Sequence, residues 1–178
     1  MPENSEKYSY HHPRTEVRQA GKKGVAVFTT GPISKGEVVI VTGGRILPFD
    51  SMPSYPLPYH PFQVEKDQVI APFDVKNLDG IFVVNHSCSP NTGLRGQCSL
   101  VALRNIEAKE EICFDYCMTD SDPAGQEYFS MDCLCEAPNC RKRITDLDWR
   151  RPELQKKYAG YFSAYIQNRI APNRIAEF

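Results

Sequence analysis

Three cysteines stand close together near the C-terminal end of the 178-residue chain, in the segment DCLCEAPNCRKRI. Cys133, Cys135 and Cys140 form a C-x-C-x4-C pattern, and the Pro and Asn in the connecting loop favour a turn that aims three thiols at one point. A structural zinc ion takes four ligands in a tetrahedron, so the fourth must come from elsewhere. The candidates for it are Cys88, Cys98, Cys113, Cys117 and the four histidines. The spacing therefore predicts a metal site, with three buried free cysteines as the alternative.

The remaining composition favours reduced thiols over a disulfide framework. The seven cysteines are odd in number, and the opening residues MPENSEKYSYHHPR lack the apolar core of a signal peptide. No apolar stretch approaches the roughly 20 residues that cross a bilayer, so we expect a soluble intracellular protein without membrane contact. The 21 basic and 22 acidic side chains give a net charge of -1, which predicts no direct binding of nucleic acid.

Short runs of β-branched and aromatic residues predict a mostly β core. The segments VAVFTTGPISKGEVVIVTGG, FQVEKDQVIAPF, IFVVNHSC and SLVALRNIEAKEEICFDYC are typical of strands separated by turns. The proline-rich stretch LPFDSMPSYPLPYHPF predicts an ordered loop or an insertion, because proline fixes φ and lacks an N–H donor. One long C-terminal helix that packs against the core is predicted by the helical spacing of Leu154, Tyr158, Tyr161, Tyr165 and Ile166.

Two separated motifs resemble the signatures of SET-domain protein-lysine methyltransferases: VVNHSCSPN at residues 83–91 and EEICFDY at residues 110–116. GVAVFTTGPISKGEVV resembles the opening motif of that family, and the C-x-C-x4-C pattern resembles its post-SET zinc segment. The resemblance implies a SET-domain fold of short strands with a threaded, knot-like active site, a small zinc segment and a C-terminal helix. It divides the chain into an N-terminal extension (1–20), a SET domain (21–118), a post-SET zinc segment (119–148) and a helical extension (149–178).

The resemblance also implies an activity, S-adenosylmethionine-dependent methylation of a protein lysine. The acceptor nitrogen must be neutral and aligned, whereas a free lysine with a pKa near 10.4 is mostly charged, so a narrow apolar and aromatic channel is expected. Tyr116 matches the tyrosine beside the transferring methyl, and Phe114 matches the position that affects how many methyls are added. Phenylalanine there favours di- or trimethylation.

Further residues acquire expected roles from the same resemblance. One structural zinc ion is implied, bound by Cys88, Cys133, Cys135 and Cys140. The residues that match cofactor contacts are Lys22, Lys23, Gly24, Asn85, His86, Tyr116 and Leu134. Without the motif, Asn85 and His86 would be interpreted as polar residues of a tight loop, and Tyr116 as a buried tyrosine. Ile144 and Trp149 match residues that close the lysine channel, and Trp149 is equally placed to anchor the final helix.

Four positions depart from the family pattern. Lys22 and Glu136 stand where glycine is usual, Thr42 replaces a tyrosine of the lysine channel, and Phe82 replaces an arginine. These departures keep a second hypothesis beside the enzyme, a catalytically silent SET-like module that binds proteins and is stabilised by zinc. A nucleic-acid-binding zinc module is a third hypothesis, against which the net charge argues.

The expected partner is a protein that presents a lysine in an extended segment. A histone tail is the first expectation, and a ribosomal protein or another basic protein is the alternative. Localisation follows the substrate: nucleus or chromatin for a histone, cytoplasm otherwise. The basic run RKR at residues 141–143 is expected to form a solvated face, because so short a run seldom does more.

Overall fold

The computed structural model of the protein describes residues 8–49, 62–121, 127 and 129–172, and strands predominate there. The mostly β fold predicted from the sequence is confirmed. The strands are β1 Tyr10–His11, β2 Thr15–Gln19, β3 Val25–Thr29, β4 Val38–Val41, β5 Arg45–Pro48, β6 Phe62–Glu65, β7 Gln68–Ala71, β8 Asn85–His86, β9 Thr92–Arg95, β10 Ser99–Ala102, β11 Glu111–Phe114, β12 Ser130–Asp132 and β13 Arg143–Thr145, and the α-helices are α1 Pro152–Lys157 and α2 Ala164–Ile170. Within this part of the chain, no helix has the length and apolarity needed to span a membrane.

Two four-stranded sheets form the body of the molecule, in the orders β1-β4-β10-β9 and β2-β3-β11-β8. Their inner positions carry β-branched and aliphatic side chains, which pack well on a pleated surface. Ile40 pairs with Leu100 in the first sheet, Val27 pairs with Ile112 in the second, and all four are fully buried. The strand-turn-strand predicted for SLVALRNIEAKEEICFDYC corresponds to β10 and β11.

The segment IFVVNHSC differs from its prediction, because its apolar residues do not form a strand. Gly80–Val83 is a turn of 3-10 helix, and all four of its residues are buried. The Asp79 carboxylate accepts the Gly80 N–H, the Thr42 hydroxyl accepts the Ile81 N–H at 3.1 Å, and Gly80 has a φ of +63° that favours glycine. Only β8 remains as a strand, and it pairs in parallel with β11.

A smaller sheet of order β5-β7-β6 lies beyond the main sheets. FQVEKDQVIAPF was predicted to contain strands and forms the β6-β7 hairpin, with Phe62, Val69 and Ile70 buried. The prediction of a loop or an insertion for the proline-rich stretch falls mostly on residues 50–61, which lie outside the described residues.

The prediction of one long C-terminal helix is wrong, since the segment forms two short helices. Helix α1 ends at Lys157, Gly160 takes a φ of +82° that is incompatible with a continuing helix, and the Ser163 hydroxyl caps α2. The break lets the Tyr161 carbonyl accept the Leu94 N–H of β9 at 3.0 Å. Of the residues named by their helical spacing, Leu154, Tyr158, Tyr165 and Ile166 are buried in the core as predicted, whereas Tyr161 is half-buried.

Candidate functional site

A cavity of about 320 Å³ opens between the β8-β11 pair and the segment that carries the cysteine hairpin. Its size falls within the range of small-molecule sites. Its lining residues are Lys22, Lys23, Asn85, His86, Tyr116, Phe129, Ser130, Met131, Leu134 and Cys135. Six of the seven residues predicted to bind the cofactor therefore surround one cavity, and their role in binding stays a prediction. Phe129, Ser130 and Met131 were not predicted as lining residues, because no motif marked residues 129–131, and Cys135 was predicted only as a zinc ligand.

Gly24 is the seventh predicted residue and adjoins the cavity through its neighbour Lys23. Its backbone has φ +74° and ψ −126°, a conformation that is essentially restricted to glycine. A Cβ at Gly24 would meet no atom within 4 Å, so the space beside this backbone is open. The preceding turn of 3-10 helix, Gly21–Lys23, accommodates Lys22 in place of the glycine usual at that position.

Glu111 fixes two side chains at the rim of the cavity. One carboxylate oxygen accepts the Asn85 Nδ2–H at 2.9 Å, and the other pairs with Lys23 Nζ at 3.0 Å. The Asn85 amide also donates to the Val25 carbonyl at 3.2 Å. Both amide hydrogens of Asn85 are thus used within the protein, and among the described residues none donates to its Oδ1. That oxygen is available to accept a hydrogen bond from a bound cation.

An aromatic cluster lies beside the cavity, formed by Phe114, Tyr116 and His86. The Tyr116 ring is 5.0 Å from the Phe114 ring and 5.2 Å from the His86 ring, between centroids. The Tyr116 hydroxyl donates to the Val84 carbonyl at 3.2 Å. Burial raises the pKa of Tyr116 well above its ordinary value, so this hydroxyl stays protonated at physiological pH.

The other three departures from the family pattern occupy defined places. Thr42 is buried, and its hydroxyl accepts the Ile81 N–H. Phe82 belongs to the hydrophobic core. Glu136 has a φ of +55°, so the chain keeps at this position a backbone shape that glycine adopts more easily.

Three of the four thiols predicted to bind zinc lie in one compact group, which also includes the His86 ring. The ligand atoms of His86, Cys88, Cys133 and Cys135 all lie within 4.8 Å of one another, and the Cys140 sulfur lies 3.9 Å from the Cys133 carbonyl oxygen. Sulfurs around a tetrahedral zinc with Zn–S bonds of about 2.3 Å are about 3.8 Å apart. The Cys88 and Cys133 sulfurs are 3.9 Å apart, which fits such an ion.

One thiol of this group is already prepared to act as a ligand. Burial opposes ionisation of Cys135, but hydrogen bonds that include the N–H of Cys88 overcome it and lower the pKa of Cys135 to about 7. A thiolate is the form that binds a metal ion. The chemistry of the group therefore favours zinc.

His86 bridges the thiol group and the backbone of Tyr116. Burial lowers the pKa of His86 to about 4, so the ring is neutral. The Tyr116 N–H donates to Nδ1 at 3.2 Å, so the single ring proton is on Nε2, which lies 3.3 Å from the Cys88 sulfur. A protonated Nε2 donates to that sulfur, and in this tautomer the His86 ring does not bind a metal ion.

The expected solvated face at residues 141–143 is wrong for Arg141. Its side chain is only 9% exposed and donates to both oxygens of Asp115, at 2.6 and 2.7 Å, and to Asp148 at 3.0 Å. Lys142 and Arg143 are exposed, as expected. The sequence signal for a buried Arg141 was its place directly after Cys140, because the position of the hairpin then also fixes the position of Arg141.

Ile144 and Trp149 are both buried. Ile144 pairs with Met131 in the β12-β13 hairpin, next to the cavity lining. The Trp149 ring packs in the core and lies 4.3 Å from the Arg169 guanidinium of α2. Of its two interpretations, the anchor for the final helices therefore has direct support from these contacts.

Comparison with known proteins identifies one family. The model of the SET domain matches residues 24–117, which is more than half of the chain. A Saccharomyces cerevisiae histone-lysine N-methyltransferase, H3 lysine-4 specific, is 35% identical over 88 residues, which cover 45% of this chain and 8% of that protein. The Danio rerio histone-lysine N-methyltransferase SUV39H1-A is 28% identical over 164 residues, covering 68% of this chain and 38% of that protein. The chain thus spans well under half the length of these curated relatives.

Solved structures show the same architecture. A crystal structure of KRYPTONITE in complex with mCHH DNA, H3(1-15) peptide and SAH has a TM-score of 0.54 and 26% identity, covering 72% of this chain and 29% of that one. The methyltransferase domain of human histone-lysine N-methyltransferase SETMAR has a TM-score of 0.54 and 20% identity, and the match covers 72% of this chain and 56% of that one. The second likeness concerns the fold alone.

Proposed function

Because the chain belongs to the SET-domain family, we propose that it is an S-adenosylmethionine-dependent protein-lysine N-methyltransferase. The observation that carries the proposal is the cavity where Asn85, His86 and Tyr116 meet Lys23 and Leu134. Five residues from four separate segments of sequence converge there, which a purely structural zinc module would not require. The related KRYPTONITE structure was solved with SAH and an H3 peptide, which agrees with this proposal.

Cofactor binding is proposed for the residues around the cavity. Bound S-adenosylmethionine would supply a methyl group on a sulfonium centre. The Asn85 Oδ1 offers an acceptor for the ammonium of the cofactor, and Glu111 keeps that side chain in place through Nδ2. Leu134, 53% exposed, offers an apolar surface for an adenine ring, and the open space beside Gly24 admits a close approach to the backbone.

Structural zinc is proposed at Cys88, Cys133, Cys135 and Cys140. The ion would join the signature motif at Cys88 to the hairpin that carries Leu134 and Met131 of the cavity wall. Zinc supplies here a rigid tetrahedral junction. Loss of the ion is therefore expected to open the cavity as well as the hairpin.

Tyr116 is proposed as the catalytic residue, with Phe114 beside it. A protonated tyrosine hydroxyl can orient an incoming amine without carrying charge, and the buried aromatic rings disfavour the ammonium form of the substrate lysine. The Phe114 side chain is 4% exposed and carries no hydroxyl to hold a water or the amine. We therefore propose di- or trimethylation.

A histone lysine is the proposed substrate, since both curated relatives described above are named as histone-lysine methyltransferases. The substrate would reach the site as an extended peptide, and the protein would then act in the nucleus, on chromatin.

The test is a transfer assay with methyl-labelled S-adenosylmethionine and purified core histones, with other basic proteins beside them. Wild-type protein should label one lysine, and mass spectrometry should find two or three methyl groups there. Tyr116→Phe should lower the rate by about 100-fold or more, because the oriented hydroxyl is lost while the ring stays. Binding of the cofactor should change little.

The matched control is Tyr10→Phe, an exposed tyrosine on β1. It should label histones at the wild-type rate. Absence of any cofactor binding by the wild-type protein would contradict the enzyme and support the silent binding module. Cofactor binding without histone labelling would contradict the histone substrate alone.

A further inference from the structure

Tyr158 lies beyond the region that the SET-domain model matches, yet its hydroxyl contacts residues beside the candidate site. The side chain is 2% exposed and follows helix α1. Its oxygen lies 3.0 Å from Oδ2 of Asp115 and 3.3 Å from the carbonyl oxygen of Cys88. One residue of the C-terminal segment therefore contacts the neighbour of Tyr116 and a proposed zinc ligand.

Asp115 is the carboxylate that makes this contact important, because it directly precedes Tyr116. It is completely buried, and a buried carboxylate requires compensation. Burial raises its pKa, but hydrogen bonds from Arg141 outweigh that effect and keep the pKa below its usual range. The group is therefore an anion, and the Tyr158 hydroxyl is a donor to it.

The Asp115 side chain also fixes the start of the turn that carries Tyr116. It accepts the Cys117 N–H at 3.3 Å and so caps the 3-10 turn Tyr116–Met118. The Tyr116 N–H is in turn fixed on His86. A shift of Asp115 would therefore move the Tyr116 ring relative to the cavity.

The C-terminal segment binds the Cys88 carbonyl through a second side chain. Lys157 Nζ donates to it at 2.8 Å, beside the contact from Tyr158 and one from Asn139 at 2.9 Å. Tyr158 differs from these two residues, because it alone also bonds to Asp115.

We propose that Tyr158 is a positioning residue, which through Asp115 orients Tyr116 for methyl transfer. The inference rests on the proposed function and extends it to a helical segment outside the matched domain. Misplacement of a reacting group by about 1 Å can reduce a rate by about 100-fold. Loss of one hydrogen bond to Asp115, with the two from Arg141 retained, should cost less than that.

The test compares Tyr158→Phe with Tyr161→Phe. Tyr161 lies in the same segment, and its hydroxyl makes no hydrogen bond with the described residues. Tyr158→Phe should lower kcat by about 10-fold and leave KM for the cofactor within about 2-fold, while Tyr161→Phe keeps both. A purely structural role would lower the melting temperature without this kcat effect. Equal kcat for the two variants would overturn the inference.

Amide hydrogen exchange gives a readout that needs no activity. In Tyr158→Phe, the peptide that covers Phe114–Met118 should exchange about 10-fold faster than in wild type or Tyr161→Phe, because its cap is loosened. An unchanged exchange rate of this peptide overturns the inference, even if the wild-type protein proves inactive. An inactive wild-type protein whose Tyr158→Phe variant shows the expected faster exchange overturns only the proposed function. Should Tyr158→Phe not fold, the wild-type amides of Cys117 and Tyr158 should show equal free energies of opening after correction for their intrinsic exchange rates, and unequal values overturn the inference.

Discussion

Asp120 carries an unusual carboxyl group four residues after Tyr116. Its Oδ1 accepts the Thr119 hydroxyl at 3.0 Å, while its Oδ2 is buried and has no hydrogen-bond partner among the described residues. Burial raises the pKa of Asp120 to about 7, with the nearby Asp146 and Asp115 acting in the same direction. Because the folded-state pKa lies above the unfolded value, the folded protein binds the extra proton between about pH 4 and pH 7. The free energy of unfolding contributed by this group therefore falls as the pH rises through that window.

Replacing Asp120 should change how stability depends on pH. Asp120→Asn cannot ionise, so its free energy of unfolding should improve relative to wild type by roughly 1 to 3 kcal/mol between pH 4 and pH 8. Urea titrations at several pH values measure this difference. The control Asp67→Asn alters an exposed carboxylate in the β6-β7 turn. Its free energy of unfolding should depend on pH in the same way as that of wild type. Parallel curves for Asp120→Asn would show that the carboxyl is ionised throughout.

At the level of elements, the cysteine hairpin is a weak structure by itself. Strands β12 and β13 share only three residue pairs, and much of their surface is exposed. A two-stranded hairpin of this size is marginal in water. Its order must come from the thiol group and from the Arg141 contacts with Asp115 and Asp148.

Zinc removal should therefore act first on this hairpin. A chelator, or the variant Cys135→Ser, should reduce the metal content from one ion per chain to near zero and abolish cofactor binding, because Leu134 and Met131 leave the cavity wall. Metal analysis and limited proteolysis between residues 129 and 145 measure the two effects. Cys98→Ser alters a cysteine outside the thiol group and should retain one zinc ion. Retained zinc in Cys135→Ser would contradict the ligand set.

The sequence predicted elements well where one local pattern dominated. Strands β6, β7, β10 and β11 formed in segments whose short runs of β-branched and apolar residues predicted strands. The run IFVV is apolar throughout and has no alternation, so it could not distinguish a buried strand from the 3-10 turn that Gly80 and Thr42 stabilise. The break at Gly160 depends on a contact with β9, which no local pattern contains.

The site was predictable only as far as its motifs extended. The residues proposed to bind the cofactor, and the cysteines proposed to bind zinc, were named because each lies in a short recognisable run. A network between distant segments joins Asp115 to Arg141 and Tyr158. These contacts become visible only in the fold, which brings the bonded side-chain atoms within 3 Å of each other. Their ion pairing satisfies a buried charge, which the sequence alone does not show.

At the scale of the whole molecule, the C-terminal helices share the core of the sheets. Leu154, Tyr158, Phe162 and Ile166 belong to the same hydrophobic cluster as Val27 and Leu100. Backbone bonds reinforce this union, since the Ser163 N–H donates to the Met118 carbonyl at 2.8 Å. The predicted boundaries of the SET domain, the zinc segment and the helical extension stay predictions, and these contacts make independent folding of the last segment improbable.

Unfolding should accordingly be a single cooperative transition. Ile166→Ala, at a fully buried position in α2, should lower the free energy of unfolding by about 2 to 4 kcal/mol, since it leaves a cavity in the shared core. The exposed control Lys156→Ala in α1 should change it by less than about 0.5 kcal/mol. Fluorescence of Trp149, the only tryptophan in the chain, reports the helices, and far-UV circular dichroism reports the whole fold. Two separated midpoints would contradict one cooperative unit.

The contact between Cys88 and Cys133 joins residues 45 positions apart in the chain. With zinc bound as proposed, the loop closed by this junction contains β9, β10, β11 and Tyr116. The ion then acts as a reversible cross-link. If it behaves like a covalent one, it lowers the conformational entropy of the unfolded chain and so raises the free energy of unfolding by roughly 4 kcal/mol. The lifetime of this protein in a cell would therefore depend on how much free zinc the cell supplies, and metal starvation would deplete the protein before it altered a single reacting group.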